Sequence, residues 1–433
     1  MNSNPLIQNS SLIRNRLATL PLAYAGEMPQ ANTEAQISPR PLEIIILGLS
    51  ITSCRGNGHA TIYRGLVQEL AARGHRVLFL ERDSEWRAFI RDLPNPPYCR
   101  LALYSTFKQL KDRFGTAIRN ADLVVVGSFV HEGAAIGEWV TRVARGITAF
   151  YDIDTPVTLA KLLRGSLDYL STALIPRYQM YLSLTGGPIL DLIANRYGSP
   201  MARPLYCSVD PQLYYPQAQP KKWDLGYMGT YSEDRQPALD ELLLRPACAW
   251  NKGRFIVAGP QYPRSIRWPK NVKRRTHIPP AKHRAFYNAQ KFTLNITRAH
   301  MIETGFSPGA RLLQAAACGS PIISDYWPGL ETYFEPGREI LLAHSSSQAL
   351  QYLIDTTETE RRRLAARAMQ RVLASHTPRH RALELESYVL ELLGGASKTA
   401  ADGESRRLGP QDGPSPRELP SAEPLGILKP VCC

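Results

Sequence analysis

The chain has 433 residues, of which 44% are hydrophobic and 21% charged, so it is long enough for two ordinary domains with tails. No run approaches the roughly 18 consecutive apolar residues of a membrane-spanning helix, so the sequence predicts none. The formal net charge of +14 favours an anionic partner such as nucleic acid, anionic lipid or a nucleotide phosphate.

The two ends of the chain are predicted to be disordered. Residues 1–40 contain the short apolar stretch LATLPLAYA, which superficially resembles a signal peptide but is interrupted by Pro21. Residues 394–433 are rich in Gly, Pro, Ser and charges, as disordered tails are. The terminal Cys432-Cys433 pair does not form a CaaX lipidation motif. The seven cysteines include no CxxC pair, which is typical of free thiols in a reducing cytoplasm.

The first half of the folded region alternates strand-like and helix-like segments. The segment 60–74 places Ile62, Leu66, Leu70 and Ala71 on one helical face. Such alternation predicts βαβ units and a parallel, doubly wound sheet whose strands are buried on both faces. The strand-like runs are EIIILGL (43–49), RVLFLE (76–81), ADLVVVG (121–127), GITAFYD (146–152) and MYLSL (180–184).

The pattern restarts after a proline-containing linker. We therefore predict an α/β fold of two Rossmann-like, doubly wound domains that face each other across a cleft, with ligands at the carboxyl ends of the strands. The predicted organisation is a first domain at 41–207, a linker at 208–220, a second domain at 221–375 and a C-terminal helix at 376–393. The second set of strand-like runs is WDLGYMG (223–229), RFIVAG (254–259), FTLNIT (292–297) and PIIS (321–324).

Residues 303–331 have the pattern of an anion site at a helix start. Ser307 and Pro308 predict an N-cap and a first helical position. Gly309 allows a ligand close to the free backbone N–H groups, which suit a diphosphate. Arg311 adds a charge in the first turn.

This stretch, SPGARLLQAAACG followed by DYWPGLE, resembles the donor-binding signature of GT-B glycosyltransferases, and most closely that of the spore-maturation CgeB-like family. The resemblance implies a GT-B fold, a nucleotide-sugar donor and no metal or other cofactor. It places Gln314 where many relatives carry a ribose-binding glutamate, and Phe306 where related retaining enzymes carry a sugar-contacting acid. Glu303 is the nearest acid, and Asp325 begins the loop of the second motif.

A second donor element is YMGTYSEDR (227–235). A strand that ends at Gly229, a turn with Thr230 and a basic residue at a helix start are suited to binding phosphate. GT-B relatives place a glycine and a basic residue here against the diphosphate, which makes Arg235 the candidate. The alternative is a helix capped by Ser232 with a solvated Arg235.

The acceptor side is predicted around a glycine-rich loop after the first strand. Gly56, Gly58 and His59 are similar to the G-x-G-H loop of several inverting GT-B enzymes, in which the histidine faces the acceptor hydroxyl as general base. Asp154, at the end of a later strand, is predicted to orient His59 or to meet the acceptor. Together with Asp152 it has the spacing of a metal-binding DxD, but GT-B chemistry requires no such metal.

Parts of the sequence also fit three other functions. An NAD-dependent enzyme would use Gly56, Gly58 and an acid at Glu81 or Asp83, but the glycines do not follow the strand directly and the third glycine is missing. A nucleic-acid binder would rest on KNVKRRTH (270–277) and ERRRLAARAMQR (360–371), without an accompanying motif. A degenerate GT-B protein would bind a sugar nucleotide without turnover.

The sequence therefore predicts a cytoplasmic, metal-independent glycosyltransferase that moves a sugar from a nucleotide-diphosphate sugar to an acceptor hydroxyl. It predicts no specific nucleic-acid partner and leaves peripheral membrane contact open. The acceptor class (glycan, lipid or small molecule), the donor base and sugar, and retention or inversion also stay open.

Overall fold

The computed structural model describes residues 40–54, 58–83, 91–165 and 167–405. The predicted N-terminal extension up to residue 39 and the loop residue Gly56 lie outside this part. The described residues up to Val389 form one compact unit, and those from Leu390 form a second. The predicted domain boundaries remain a prediction. We use "first lobe" and "second lobe" for the two sheets of the first unit and the helices packed on them.

The first lobe is built on a fully parallel sheet of seven strands in the order β3-β2-β1-β4-β5-β6-β7. Its central strands are buried along nearly their whole length, as expected for a sheet covered on both faces. The strands are β1 (Glu43–Gly48), β2 (Arg76–Arg82), β3 (Arg100–Tyr104), β4 (Leu123–Gly127), β5 (Ile147–Asp152), β6 (Met180–Ser183) and β7 (Ala202–Pro204).

The second lobe is also built on a parallel sheet, which has six strands in the order β10-β9-β8-β11-β12-β13. The crossover positions β1/β4 and β8/β11 are the switch points at which open α/β sheets bind ligands. The strands are β8 (Trp223–Met228), β9 (Phe255–Ala258), β10 (Val272–Arg275), β11 (Gln290–Asn295), β12 (Ile322–Ser324) and β13 (Leu341–Leu342).

The helices connect the strands and cover both sheets. A π-helical segment, Asp240–Leu244, separates two short helices of the second lobe. The helices of the first lobe are α1 (Gly58–Ala72), α2 (Phe107–Asn120), α3 (Gly133–Val143), α4 (Thr155–Leu162) and α5 (Pro188–Asn195). Those that follow are α6 (Gln236–Leu239), α7 (Arg245–Ala249), α8 (His283–Asn288), α9 (Ala299–Thr304), α10 (Ala310–Ala317), α11 (Ser346–Asp355), α12 (Glu358–Ser375) and α13 (Pro378–Ser405).

The start of α13 joins the end of the chain to the first lobe. The Glu386 carboxylate accepts hydrogen bonds from Arg73 at 2.5 and 2.6 Å and lies 2.7 Å from Nε2 of the buried His75. The guanidinium of Arg73 and the hydrogen bonds hold the Glu386 pKa below its ordinary value although burial opposes this. These contacts hold the start of α13 against the first lobe, at the end of α1.

The sequence predicted nine of the thirteen strands in the part of the chain that the structure describes. The predicted helical end is divided into α11, α12 and α13, and α13 continues to Ser405 beyond the predicted start of the tail at Gly394. Within the described ranges, every helix is too short or too polar to cross a bilayer.

Candidate functional site

Arg235 lies beneath the turn that follows β8 and is only 8% exposed. Its Nη2 donates to the Thr230 carbonyl at 2.5 Å. Its Nε is buried and has no hydrogen-bond partner among the residues that the structure describes. Burial lowers the Arg235 pKa, and the nearby Arg311 and Arg298 lower it further. A buried cation with an unsatisfied donor is costly unless an anion completes its environment.

Arg311, in the first turn of α10, reaches across the carboxyl ends of β8 and β11. Its Nε donates to the Met228 carbonyl, and its Nη1 donates to Oδ1 of Asn295 at 3.2 Å and to the Ile296 carbonyl at 3.3 Å. Its guanidinium lies 5.1 Å from the centre of the Tyr227 ring. The strand ends therefore hold this side chain in one position.

Gly229 allows the chain to pass close to Arg311. A Cβ at this position would lie 2.5 Å from the Tyr227 hydroxyl and 3.1 Å from Nη2 of Arg311. Any larger residue would displace one of these groups. The glycine predicted to bind phosphate is thus required by packing, and it brings the backbone next to a guanidinium.

Arg298 is a member of this cluster that sequence reasoning missed. It is exposed at the residue before α9, and its charge acts on Arg235 and on Asp154. It comes three residues after Asn295, the last residue of β11, so the rule that ligands bind at strand ends could have found it. Arg235, Arg298 and Arg311 repel one another, and an anion bound among them would relieve that repulsion.

The helix start that sequence reasoning placed at Ser307 is wrong by two residues. α10 begins at Ala310, with Gly309 as an N-cap that makes no side-chain bond. The buried Ser307 hydroxyl lies 3.1 Å from Oγ1 of Thr185 in the first lobe, and the Pro308 carbonyl accepts from the Cys207 thiol at 3.1 Å. The Ser307 side chain therefore contacts the first lobe and does not cap α10. The space next to Gly309 is open.

Three further predicted donor residues lie around α10. Oε1 of the half-buried Gln314 accepts from the Tyr287 hydroxyl at 3.1 Å. Asp325 accepts from the Thr297 backbone at 2.7 Å and from its hydroxyl at 2.9 Å, and burial raises its pKa. Asp325 thereby ties the segment after β11 to the end of β12. Glu303 is half-buried on α9.

Phe306 closes the place at which the resemblance implied a sugar-contacting acid in related enzymes. Its backbone has a positive φ of 46°, and it donates to the Pro328 carbonyl at 2.7 Å and accepts from the Gly186 amide at 3.0 Å. Its ring lies so close to Gly187 and Gly329 that a Cβ on either would collide with it. The side chain at this position packs between the lobes.

On the acceptor side, His59 lies in the first turn of α1 and Gly58 begins that helix. The His59 ring makes an edge contact with Phe129 at 5.2 Å between ring centres. Burial lowers the His59 pKa to about 4, so the imidazole is neutral at physiological pH. Phe129 follows β4 with a positive φ of 63°, which directs its ring towards the same edge of the sheet.

Asp152 and Asp154 have different environments. Asp152 is fully buried and accepts from Tyr181 at 2.6 Å and Thr158 at 2.8 Å, and burial raises its pKa to about 6. Both its oxygens are used, so it does not form half of a DxD metal site. Among the part of the chain that the structure describes, no group of three or more His, Cys, Asp or Glu side chains is placed to hold a metal ion.

Asp154 faces the second lobe. It precedes α4, which packs against α9, and makes no capping bond. Burial raises its pKa, and His300, Arg298 and Lys161 oppose that shift. The charges that act on Asp154 thus come from α9, from the residue before it and from α4, and the predicted orientation of His59 by Asp154 stays a prediction. Nε2 of His300 is buried without a hydrogen-bond partner in the described ranges; burial lowers the His300 pKa and Asp154 opposes this.

Glu81 argues against a dinucleotide site in the first lobe. Its buried carboxylate accepts from the Ser50 hydroxyl at 3.0 Å, from the Ile51 amide at 2.8 Å, and from the amide and hydroxyl of Thr52 at 3.1 and 2.7 Å. A dinucleotide enzyme needs the acid at this position for ribose hydroxyls. Here it shapes the loop after β1 instead.

Comparisons with known proteins agree with this arrangement. The family described as "Glycosyl transferase-like" matches residues 235–387, whereas a comparison with curated proteins gives no match. Sucrose-phosphate synthase from Thermosynechococcus elongatus superposes with a TM-score of 0.60 at 15% identity, covering 81% of this chain and 99% of that one. Anabaena HepE in complex with UDP and glucose gives 0.58 at 12% identity, covering 81% and 100%.

An α-glucosyltransferase in complex with UDP-glucose and DNA containing an abasic site gives a TM-score of 0.59 at 9% identity, covering 80% of this chain and 98% of that one. Because these sequence identities are low, the comparisons show similarity of fold alone. Two parallel, Rossmann-like sheets in this order, with these neighbours, confirm the predicted architecture. The chain has the GT-B fold.

Proposed function

We propose that this protein is a glycosyltransferase that moves a sugar from a nucleoside-diphosphate sugar to an acceptor hydroxyl. The observation that carries the proposal is the group of three arginines, 235, 298 and 311, at the carboxyl edge of the second sheet. A dianionic diphosphate would offset two of the three positive charges of this cluster and meet the open start of α10. The same cations would stabilise the diphosphate as it leaves the sugar.

The acceptor would bind on the opposite side of the cleft. The neutral imidazole of His59 is proposed as the base that takes the proton of the acceptor hydroxyl. Asp154 and His300 lie where the two lobes meet, and we propose that they orient the acceptor. The acceptor class remains a glycan, a lipid or a small molecule.

The closer relation to the CgeB-like family is also a proposal, supported by the SPGARLLQAAACG stretch. HepE and the α-glucosyltransferase were solved with UDP or UDP-glucose, so UDP-sugars are the first donors to test. The cytoplasmic location is a proposal as well, and the five described cysteines are all free thiols.

A second function is favoured by Phe306, whose ring fills the position of the sugar-contacting acid. The protein would then bind a sugar nucleotide without turnover. An assay of nucleoside diphosphate release, with and without a mixture of candidate acceptors, distinguishes the two. Release above the level of a His59→Ala variant supports the transferase, whereas binding without any release supports the second function.

Diphosphate binding is expected to be independent of metal ions, because arginines and backbone N–H groups supply the anion contacts. Calorimetric titration with UDP and GDP should give the same dissociation constant with and without EDTA. A loss of affinity on chelation that added Mg²⁺ or Mn²⁺ restores would contradict this.

Replacing Gln314 by glutamate is expected to preserve or tighten nucleotide binding. A carboxylate can still accept from Tyr287 and also from ribose hydroxyls, whereas the amide oxygen already accepts from Tyr287. The measurement compares dissociation constants for a nucleoside diphosphate and for free pyrophosphate in both proteins. If the ratio between the two ligands is unchanged, residue 314 does not contact the ribose.

A further inference from the structure

Nearly all of the net positive charge comes from one segment of the second lobe. Between Glu241 and Glu303 the chain contains thirteen Lys and Arg residues and no Asp or Glu, against a net charge of +14 for the whole protein. Most soluble surfaces mix both signs, because like charges held together repel. A long segment of one sign therefore needs an explanation beyond solubility.

The structure separates the cations of this segment into two groups. Some are compensated: Arg245 pairs with Glu241, and both Arg254 and Lys291 lie near Asp224. Eight others are exposed and form no ion pair with any residue that the structure describes, and six of these eight lie between residues 264 and 282, on or near β10. We call these six the basic edge: Arg264, Arg267, Lys270, Lys273, Arg275 and Lys282.

The basic edge lies on and beside β10, the outermost strand of its sheet. Arg274 fixes the loop that leads into this strand. Its guanidinium lies 4.1 Å from the centre of the Tyr262 ring and 4.4 Å from that of Trp268, and it donates to the Val257 carbonyl at 2.6 Å. The cations are thus presented from an ordered surface, so little conformational entropy would be lost when they bind.

A partly exposed tyrosine lies close to the end of this surface. The Arg284 guanidinium, two residues after Lys282 of the basic edge, lies 4.1 Å from the centre of the Tyr215 ring, which is 41% exposed. Leu213, two residues before Tyr215 in the chain, is 56% exposed. Exposed cations with a tyrosine near them match the interface of a bilayer, where headgroups are charged and the region below them is apolar.

We propose that the basic edge docks the protein on the surface of a bilayer that contains anionic lipids. Single-stranded nucleic acid is the less suitable partner, because it needs open aromatic faces for base stacking. The rings of Tyr262 and Trp268 are occupied by Arg274, and that of Tyr215 is occupied by Arg284. The basic edge includes none of the three arginines of the proposed donor site, although Tyr262, which packs against Arg274, donates to the Gly229 carbonyl at 3.2 Å.

The test is sedimentation of the full chain with vesicles of phosphatidylcholine alone or of phosphatidylcholine mixed with phosphatidylserine, whose anionic headgroups attract basic segments. Binding is expected only to the anionic vesicles and should decrease with salt. The triple variant Arg267→Ala, Lys270→Ala, Lys273→Ala should lose about fivefold in affinity per charge removed. The matched control is Arg362→Ala, Arg363→Ala, Arg367→Ala on α12, which removes the same charge elsewhere.

Equal sedimentation with both kinds of vesicle, or equal losses in the two triple variants, would overturn the proposal. The proposal would also be overturned if the protein did not bind vesicles but bound single-stranded DNA tightly, and only the first triple variant lost that binding. All six substituted side chains are exposed, so the melting temperatures of both triple variants should stay close to that of the wild type. Thermal melting of each variant then shows that a loss of binding does not come from unfolding. A Leu213→Ser variant should weaken vesicle binding at high salt more than at low salt.

Discussion

Replacing Arg235 by alanine is expected to weaken binding of a nucleoside diphosphate by ~1.5–3 kcal/mol, the range for hydrogen bonds to charged groups. Arg235 is buried beneath the Gly229–Thr230 turn, and its Nε has no partner in the described part of the chain. Calorimetry with UDP and GDP measures the change. Arg235→Lys should recover part of the affinity, because it keeps the charge but not the planar donor set.

Arg311→Ala should weaken binding to a similar extent, but it also removes hydrogen bonds to Met228 and Asn295. A melting curve must therefore accompany its titration. Arg362→Ala is the matched control, because Arg362 is an exposed arginine paired with Glu358 on α12. If Arg235→Ala and Arg311→Ala both bind like the control, the diphosphate site lies elsewhere.

Replacing His59 by alanine is expected to lower kcat for sugar transfer by ~10²- to 10⁴-fold, the usual contribution of a general base. The dissociation constant of the nucleoside diphosphate should be unchanged, because the donor contacts are on the second lobe. His344→Ala is the matched control, an exposed histidine after β13. A fall in affinity together with kcat would indicate that His59 supports the structure of the cleft.

The pH dependence of kcat/KM gives an independent test of His59. Burial favours the neutral imidazole and lowers its pKa to about 4, so the base form persists as the pH falls until that value is approached. The acidic limb of the wild-type profile should therefore lie well below the ordinary histidine pKa of about 6.5. An acidic limb near the ordinary value that disappears in His59→Ala would show that His59 is more exposed to water than the structure indicates.

The sequence predicted the centre of both sheets and missed their margins. Central strands such as β1 and β4 are buried on both faces, so they appear as apolar runs. The strands that the sequence did not predict, β3, β7, β10 and β13, are the outermost strands of the two sheets. The sequence of β10, VKRR, resembles a solvated basic segment. Pairing with β9, a non-local contact, makes this segment a strand.

The candidate site was predictable where it depends on local backbone chemistry. Gly229 comes directly after β8, Arg235 directly before α6 and Arg311 in the first turn of α10, and the structure brings them together. The prediction of Ser307 as a helix cap was wrong because its hydroxyl lies in hydrogen-bonding distance of Thr185, more than a hundred residues away in the chain. The charges around Asp154 and the packing of the Phe306 ring between Gly187 and Gly329 depend on how the lobes pack, which no local sequence pattern predicts.

Saturation-transfer NMR of the wild-type protein against a panel of nucleotide sugars tests the central proposal most directly. We expect at least one nucleotide sugar to receive saturation on its base and ribose protons, to be displaced by its own nucleoside diphosphate, and to lose the signal in Arg235→Ala. A panel in which no nucleotide sugar binds, or in which binding is unaffected by Arg235→Ala, would contradict it.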